Sequence, residues 1–193
     1  MFFPSIIENT GRSEKVIDLP SKLLQNRIIY LGTEINEVTA SSVILQLLWL
    51  NAEDPEKDIY IYINSPGGTV TDGFAIYDCI NAITNKVHTL CIGQASSMGA
   101  FLLSSGTGSR MATKFSRIMV HSVYSGTQGT VHEQKISIEE SEKLQKKLLE
   151  IIVKNSQGKL SLPILKRKTL LDWFMDPETA LKFGLIDEIV EKI

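Results

Sequence analysis

The sequence predicts an α/β fold with largely parallel strands. Runs rich in β-branched and aromatic residues, such as IYIYIN, alternate along the chain with longer segments of helical periodicity. The stretch Val87–Ser105 passes from an apolar strand, through the turn QASS, into a helix that opens on small residues. Strand–helix alternation of this kind builds parallel sheets covered by helices. The 193 residues contain no internal repeat and no convincing linker, so we predict one domain over residues 1–193.

The first third of the chain is predicted to hold an arm, two helices and a strand. Residues 5–19 mix apolar and polar side chains without a clear period, which is typical of a mobile or extended arm. A short helix begins at Pro20, and the strand RIIYLG follows it. The segment Asn36–Leu50 is predicted to be helical, with a broad apolar face made by Val38, Ser41, Ile44, Leu45, Leu48 and Trp49.

The rest of the chain continues the alternation. The strand Ile59–Asn64 is β-branched and aromatic throughout and ends in the sharp turn SPGG. The elements predicted after it are, in chain order, the helix Thr71–Thr84, the strand VHTLCIG, the helix Ser97–Ser105, the turn GTGSR, the strand Ser116–His121, the loop YSGTQG, the long helix Glu133–Lys154, a helical piece at Pro163–Leu171, the helix PETALKFG and the strand LIDEIVEKI.

Composition and charge exclude several classes of protein. The net charge of −2 gives no electrostatic footprint for nucleic acid, and no stretch approaches the roughly 20 apolar residues that span a membrane. Cys79 and Cys91 have neither CxxC nor metal-ligand spacing, which predicts small buried side chains in a reducing compartment and no metal site. The N-terminus lacks the basic leader of a secretion signal, so we expect a cytoplasmic protein.

Ser97 lies where the predicted strand passes into the predicted helix. A hydroxyl at this turn is held clear of the sheet, beside backbone N–H groups that have no helical partner. Such N–H groups favour negative charge, which the intermediate of acyl transfer develops. The position therefore suits a nucleophile. It equally suits a helix N-cap, and Ser96 competes for that role.

A serine nucleophile needs a base and an acid, for which His121 and Asp172 are the candidates. His121 ends an apolar strand, and the ends of strands are where α/β sheets place functional groups. Taken alone, His121 also fits a structural histidine, and Asp172 also fits the cap of a turn. Spacing along the chain does not show whether the three residues meet.

Two further features carry alternative interpretations. The run Asn64–Gly68 (NSPGG) could expose backbone N–H groups to an oxyanion or a peptide, or it could be a plain tight turn. Tyr60 and Tyr62 alternate on one face of a strand, where they could be core or interface aromatics or part of a groove for a partner.

These motifs together resemble the proteolytic subunit family of the Clp proteases (ClpP). NSPGG after a strand, GQASSMGAFLL, IMVH and the late DWFM with FGLID occur in the order of that family, and the resemblance runs nearly end to end. It implies a crotonase-like stack of ββα units with a protruding helical handle at about residues 125–160. The N-terminal arm, at about residues 1–19, would correspond to the axial pore loops.

The resemblance also implies roles for the site residues. Ser97 matches the nucleophile, His121 the general base, and Asp172 the residue that orients the base. Gly68 and Met98 match the residues whose backbone N–H groups form the oxyanion hole. The implied protein is a serine endopeptidase that needs no cofactor, because ATP is used by a partner and not by this chain.

The implied assembly is a homo-oligomer of two stacked heptameric rings around a chamber. An AAA+ unfoldase of the ClpX, ClpA or ClpC type would dock on it and feed in unfolded polypeptides, which would lie extended beside Gly67–Val70 and Tyr124–Thr127. The positions that match the docking pockets are Tyr60, Tyr62, Leu90 and Ile92.

Some residues depart from the family pattern. Ser122 and Val123 stand where the family usually has Gln-Pro, Leu170 and Leu171 replace an acidic–basic pair, and Ala82 replaces a common aromatic. The departures after His121 and before Asp172 motivate an alternative, namely a catalytically weak ring subunit that modulates an active paralogue. A crotonase-type acyl-CoA enzyme is a third interpretation, because it would share the fold.

Overall fold

The structure is a computed structural model that describes residues 4–9, 11 and 14–193. The strands in these ranges are β1 (Ser5–Asn9), β2 (Glu14–Asp18), β3 (Ile28–Leu31), β4 (Ile59–Ser65), β5 (Val87–Ser96), β6 (Arg110–Thr113), β7 (Arg117–Val120), β8 (Trp173–Met175) and β9 (Glu188–Val190). The helices are α1 (Leu19–Gln25), α2 (Glu37–Glu53), α3 (Val70–Ala82), α4 (Met98–Leu103), α5 (Val131–Asn155), α6 (Leu162–Lys168) and α7 (Pro177–Lys182).

A seven-stranded sheet organises the fold, and the long strand β5 is at its centre. The main path runs β3-β4-β5-β6-β9, and every pair along it is parallel. β5 changes neighbour along its length: Thr89–Cys91 pair with β6, and Gln94–Ser96 pair with β7. Gly93, at φ 87°, lies between the two paired segments. The expected α/β fold with largely parallel pairing is confirmed.

One hydrophobic core lies between the sheet and its helices. Along β4 the side chains alternate, so that Ile59, Ile61 and Ile63 are buried whereas Tyr60 and Tyr62 on the opposite face are half-buried. The buried isoleucines join apolar side chains of α2, α3, α4 and α5 in a single cluster. This period of two is the pattern that predicted the strand.

Within the described part of the arm, which was predicted to be mobile or extended, the strands β1 and β2 pair with each other antiparallel. Two other parts of the sequence fold differently from the prediction. β6 includes the end of the segment GTGSR, which was predicted to be a turn. On α2 the buried residues are Ala40, Val43, Leu47 and Leu50, whereas most of the predicted apolar face is exposed in this chain: Val38, Leu45, Leu48 and Trp49.

Arg110 explains why β6 escaped prediction, because a charged residue begins a buried strand. Its side chain is 3% exposed, and its guanidinium contacts the carboxylate of Asp187 through two nitrogens. It also donates hydrogen bonds to the carbonyl oxygens of Asn155 and Gly184, at 2.6 and 2.9 Å. Arg110 therefore fastens the ends of α5 and α7 to the sheet.

Both cysteines are free. Cys91 is buried in β5, and burial raises the pKa of its thiol to about 11, so the thiol stays protonated at neutral pH. Among the residues described, no helix is both long enough and apolar enough to cross a membrane.

Candidate active site

The ends of β4, β5 and β7 bring the candidate site residues to one edge of the sheet. Ser65 of β4 pairs with Ala95 of β5, and Ser96 of β5 pairs with Met119 of β7. Because these strands are parallel, the residues that follow them emerge side by side. Gly68 follows β4, Ser97 follows β5 and His121 follows β7.

Ser97 is held in a sharp turn between β5 and α4. Its backbone lies at φ 54° and ψ −121°, a region that favours glycine. Its N–H donates to the carbonyl oxygen of Met119 at 2.8 Å, and its carbonyl oxygen accepts from the Phe101 N–H at 3.0 Å. Although Ser97 occupies the N-cap position of α4, its side chain makes no capping hydrogen bond. Its hydroxyl is therefore available to another partner.

That partner is His121, and Asp172 lies on the far side of the same imidazole. Ser97 Oγ is 2.9 Å from His121 Nε2, and Asp172 Oδ1 is 3.3 Å from His121 Nδ1. The antiparallel pairing of β7 with β8 accounts for the second contact, because Val120 opposes Trp173 and so brings their neighbours together. The structure thus brings together three residues that are far apart in sequence.

The side chains of His121 and Asp172 differ in their access to solvent. The side chain of His121 is 27% exposed and that of Asp172 is 56% exposed. Asp172 follows two exposed leucines, so its carboxylate lies at the rim of the site. Because more than half of the Asp172 side chain is exposed, the position of its carboxylate depends on the backbone that carries it.

The turn after β4 is built from two glycines that pack against Ser97 and Ile35. Gly67 has φ 99°, and a Cβ atom there would lie 2.6 Å from Ser97 Cβ. Gly68 has φ 149°, and a Cβ there would lie 2.0 Å from the carbonyl oxygen of Ile35. Ile35 forms a parallel bridge opposite Gly68, in which it bonds to Gly67 and Thr69. The Gly68 N–H takes no part in that bridge and points to its other side.

Met98 supplies a second backbone donor beside Ser97. It is the first residue of α4, and the first N–H groups of a helix have no partner within the helix. Its side chain is 2% exposed and lies in the core. Met98 can therefore act at the site through its backbone alone, as can Gly68.

A cavity of about 330 Å³ opens beside Ser97 and His121. One wall is apolar and comes from Leu148, Leu149 and Ile152 of α5 together with Phe101 of α4. Sequence analysis assigned the helix over 133–154 to the handle and did not place it at the site. Apolar side chains recur at helical spacing in the second half of α5, which indicates that this face of the helix is buried. The spacing does not indicate which part of the protein the face packs against.

Three polar residues of the cavity also escaped sequence analysis as site residues. They are Ser122, Gln145 and Thr169, which come from the end of β7, from α5 and from the end of α6. They form hydrogen bonds with one another. No motif marks Gln145 or Thr169, because each acts through a contact that only the fold creates.

The residues that match the docking pockets lie on the uncovered face of the sheet. Tyr62 pairs with Leu90, and Tyr60 pairs with His88 and stacks on its ring at 4.7 Å. Tyr60, Tyr62 and Ile92 are half-buried, but Leu90 is only 3% exposed and so lies beneath this surface. His88 is occupied, because its Nε2 is 3.0 Å from Asp58 Oδ2 and its Nδ1 accepts from the Ser109 N–H at 2.9 Å.

Comparison with protein-family models matches residues 11–193 of the chain to the Clp protease family. The match covers nearly the whole chain, and the chain belongs to the Clp protease family. Within it the chain is a ClpP-type proteolytic subunit, as the sequence motifs predicted.

Proposed function

We propose that the chain is a serine endopeptidase and forms the chamber of an ATP-dependent Clp protease. The observation that carries the proposal is the 2.9 Å contact between Ser97 Oγ and His121 Nε2, with Asp172 on the other imidazole nitrogen. A serine hydroxyl becomes a useful nucleophile when a histidine can take its proton, and an acid beside the histidine fixes its tautomer.

The geometry supports the following sequence of steps. Ser97 Oγ attacks the scissile carbonyl carbon while its proton passes to His121 Nε2. The imidazolium then gives that proton to the leaving amine as the peptide C–N bond breaks, which leaves an acyl group on Ser97. A water molecule then attacks the acyl carbon while its proton passes to His121 Nε2. The imidazolium returns that proton to Ser97 Oγ as the bond between Oγ and the acyl carbon breaks, which releases the carboxylic acid and restores the serine. Asp172 keeps the Nδ1 proton in place and stabilises the imidazolium.

Two backbone donors are available for the oxyanion that each attack creates. Gly68, in the turn after β4, and Met98, the first residue of α4, line the same cavity as Ser97, and their backbone N–H groups are the proposed donors to the oxyanion. Preorganised donors of this kind typically contribute about 3–4 kcal/mol to transition-state binding. The role proposed for both residues is therefore carried by their backbones.

We further propose that the substrates are unfolded polypeptides bound in an extended form. The segment Tyr124–Thr127 lies in no helix or strand of the structure, and Tyr124 lines the cavity together with Gly68 of the turn after β4. An extended peptide can pair with such segments, and the apolar wall from α5 can receive a side chain next to the scissile bond. The chemistry requires no cofactor, and ATP is assigned to the partner.

The proposed assembly is two stacked heptameric rings that receive chains from an AAA+ unfoldase of the ClpX, ClpA or ClpC type. Two exposed apolar surfaces support the ring assembly, namely the stripe of α2 and the N-terminal half of α5, because large apolar patches on a single chain are typical of contact surfaces. The unfoldase contact is assigned to the half-buried face with Tyr60, Tyr62 and Ile92, because these positions match the docking pockets of the family.

Replacing Ser97 by Ala tests the proposed chemistry. Cleavage of a short fluorogenic peptide should fall by about 10⁴-fold or more, because the nucleophile is lost while the backbone donors remain. A fluorophosphonate probe should label the native chain at Ser97 and should not label the variant. Ser96→Ala is the matched control and should keep both activities. Undiminished cleavage by a clean Ser97→Ala preparation would refute the proposal.

A second candidate is a catalytically weak ring subunit that modulates an active paralogue. The exposure of Asp172, together with that of Leu170 and Leu171, favours it, because the acid is held by few contacts within this chain. Incubating the purified chain alone with the probe separates the candidates. Prompt labelling of Ser97 supports an autonomous peptidase, whereas labelling only after a second subunit is added supports the modulating role.

A further inference from the structure

Ser122, the residue after His121, connects three elements around the site. Its N–H and its hydroxyl both donate to the carbonyl oxygen of Thr169, at 3.0 and 2.8 Å. The same hydroxyl oxygen accepts a hydrogen bond from Gln145 Nε2 at 3.2 Å. Gln145 Oε1 in turn accepts one from the Val123 N–H. One hydroxyl thus joins the end of β7 to the segment after α6 and to α5.

Thr169 is a fixed point to which Ser122 is attached. It is 1% exposed and forms the C-cap of α6. Its N–H and its hydroxyl both donate to the carbonyl oxygen of Leu165, each at 2.9 Å. Because Thr169 is tied so closely to α6, the hydroxyl of Ser122 binds the end of β7 to that helix.

His121 and Asp172 lie between two connections of the same pair of segments. On one side Val120 pairs with Trp173, and on the other Ser122 bonds to Thr169. The chain between these connections is His121 alone on one segment, and Leu170, Leu171 and Asp172 on the other.

The two leucines cannot hold that second segment by packing within this chain. Their side chains are 75% and 81% exposed. The distance between the Asp172 carboxylate and His121 Nδ1 therefore depends on the two connections. The pairing of Val120 with Trp173 is fixed by the sheet. Ser122 bonds to Thr169 through its backbone N–H as well as its hydroxyl, and the hydroxyl bond is the part of this connection that a side chain controls.

We propose that Ser122 and Gln145 are positioning residues for the His121–Asp172 pair. The hydroxyl of Ser122 holds the segment before Asp172 where the carboxylate reaches Nδ1, and Gln145 links that hydroxyl to α5. This inference rests on the proposed serine endopeptidase function. The inference assigns a role to Ser122, which departs from the family pattern. Ser122 bonds to Thr169, the residue before the exposed Leu170 and Leu171.

Kinetics of Ser122→Ala on the full-length particle test the inference. We expect kcat to fall about 5- to 10-fold, the worth of one net hydrogen bond, with KM for a short fluorogenic peptide unchanged. The rate of fluorophosphonate labelling at Ser97 should fall by the same factor. The probe makes no peptide contacts, so its rate reports only how well His121 activates Ser97. Ser122→Thr, which keeps the hydroxyl, should recover most of both rates.

Two further variants separate positioning from general loosening of the fold. Gln145→Leu should lower kcat and also raise KM, because the Val123 N–H beside the cavity loses its acceptor as well. Ser161→Ala removes an exposed hydroxyl at the other end of α6 that makes no capping bond, and it should leave every rate unchanged. All variants should keep the particle mass of the native protein, and Ser122→Thr and Ser161→Ala should also keep its unfolding midpoint within error.

The result that overturns the inference differs from the result that overturns the function. If native Ser97 is labelled and Ser122→Ala retains the native kcat and labelling rate, the positioning role is refuted and the peptidase stands. If native Ser97 is not labelled, the peptidase fails, and hydrogen exchange decides the positioning role. Faster exchange of the Leu170–Asp172 amides in Ser122→Ala supports it, and unchanged exchange refutes it.

Discussion

At the scale of single residues, the candidate site depends on two glycines, Gly67 and Gly68, at positions that have no room for a Cβ atom. Gly67 packs so closely that a Cβ atom would lie 2.6 Å from both the Ser96 carbonyl oxygen and Ser97 Cβ. A Cβ atom at Gly68 would lie closer still to its neighbour, at 2.0 Å from the Ile35 carbonyl oxygen. The turn after β4 can therefore lie against Ser97 only because both residues are glycine.

Replacing Gly67 by Ala should disturb the site and the fold together. We expect a loss of about 1–3 kcal/mol in the free energy of unfolding, because the new methyl group meets backbone atoms and φ is positive. Labelling of Ser97 should also slow, because the turn that carries the Gly68 N–H must move away. Chemical denaturation at fixed protomer concentration and probe labelling measure the two effects.

Gly126→Ala is the control for stability, because a Cβ at Gly126 would have no neighbour within 4 Å. Its unfolding midpoint should match that of the native protein. Equal midpoints for Gly67→Ala and Gly126→Ala would contradict the close packing described at Gly67.

The local structure around Ser97 could be predicted from the sequence, but its contact with His121 and the contact of His121 with Asp172 could not. The strand, the turn and the small-residue helix around Ser97 are local patterns, so they can be recognised in a single stretch. His121 meets Asp172 because Val120 pairs with Trp173, and the alternation within two short strands does not specify that register. Gln145 and Thr169 have no local signature at all, because their part in the site comes from tertiary contacts.

At the scale of elements, Arg110 of β6 and Asp187 connect the sheet to the helices behind it. Burial by itself would raise the pKa of Asp187. The hydrogen bonds and the positive charge of Arg110 outweigh it, so the pKa of this carboxyl lies below its usual range. The folded state therefore favours ionised Asp187 more strongly than the unfolded chain does.

This difference predicts how the pair responds to pH. A folded pKa below the unfolded value of 3.8 contributes stability that is fully present above about pH 5 and is lost as pH falls through the folded pKa. Asp187→Asn should thus lower the free energy of unfolding at pH 7, and the gap from the native protein should shrink below about pH 4. Denaturation curves between pH 7 and pH 3 measure the gap.

Glu188→Gln is the matched control, because Glu188 is the exposed neighbour of Asp187 in sequence. It should follow the native curve at every pH. A gap for Asp187→Asn that stayed constant down to pH 3 would contradict the assigned contact.

At the scale of the whole molecule, α2 shows how a helix can be predicted correctly while the wrong face of it is assigned to the core. The helix is apolar on two sides: one side holds Ala40, Val43, Leu47 and Leu50 in the core, and the other exposes Val38, Leu45, Leu48 and Trp49. Periodicity finds both stripes but does not say which of them belongs to the chain's own core. The exposed stripe is the one that a neighbouring subunit can cover.

Placing a charge in that stripe should weaken the proposed ring. In Trp49→Glu an aromatic side chain that is 47% exposed is replaced by a carboxylate, which would lose its water in a subunit contact. We expect the native particle, proposed to contain fourteen copies of the 21.5 kDa chain, to shift towards smaller species. Sedimentation at several protein concentrations measures the shift.

Lys86→Glu introduces the same carboxylate at an exposed position away from the stripe and should leave the mass unchanged. If Trp49→Glu sediments like the native particle over the same concentrations, the stripe is not part of the contact.

The backbone of Ser97 sets catalysis against stability at a single position. Its φ and ψ lie in a region that glycine adopts without strain, whereas any other residue there raises the free energy of the folded state by about 1–3 kcal/mol. Ser97→Gly should therefore relieve a conformational strain that Ser97→Ala retains. Selection for stability alone would therefore replace the serine by glycine. A subunit that had lost its chemistry would gain by making that change. The serine at this strained position is consistent with the proposed role of Ser97 as the nucleophile.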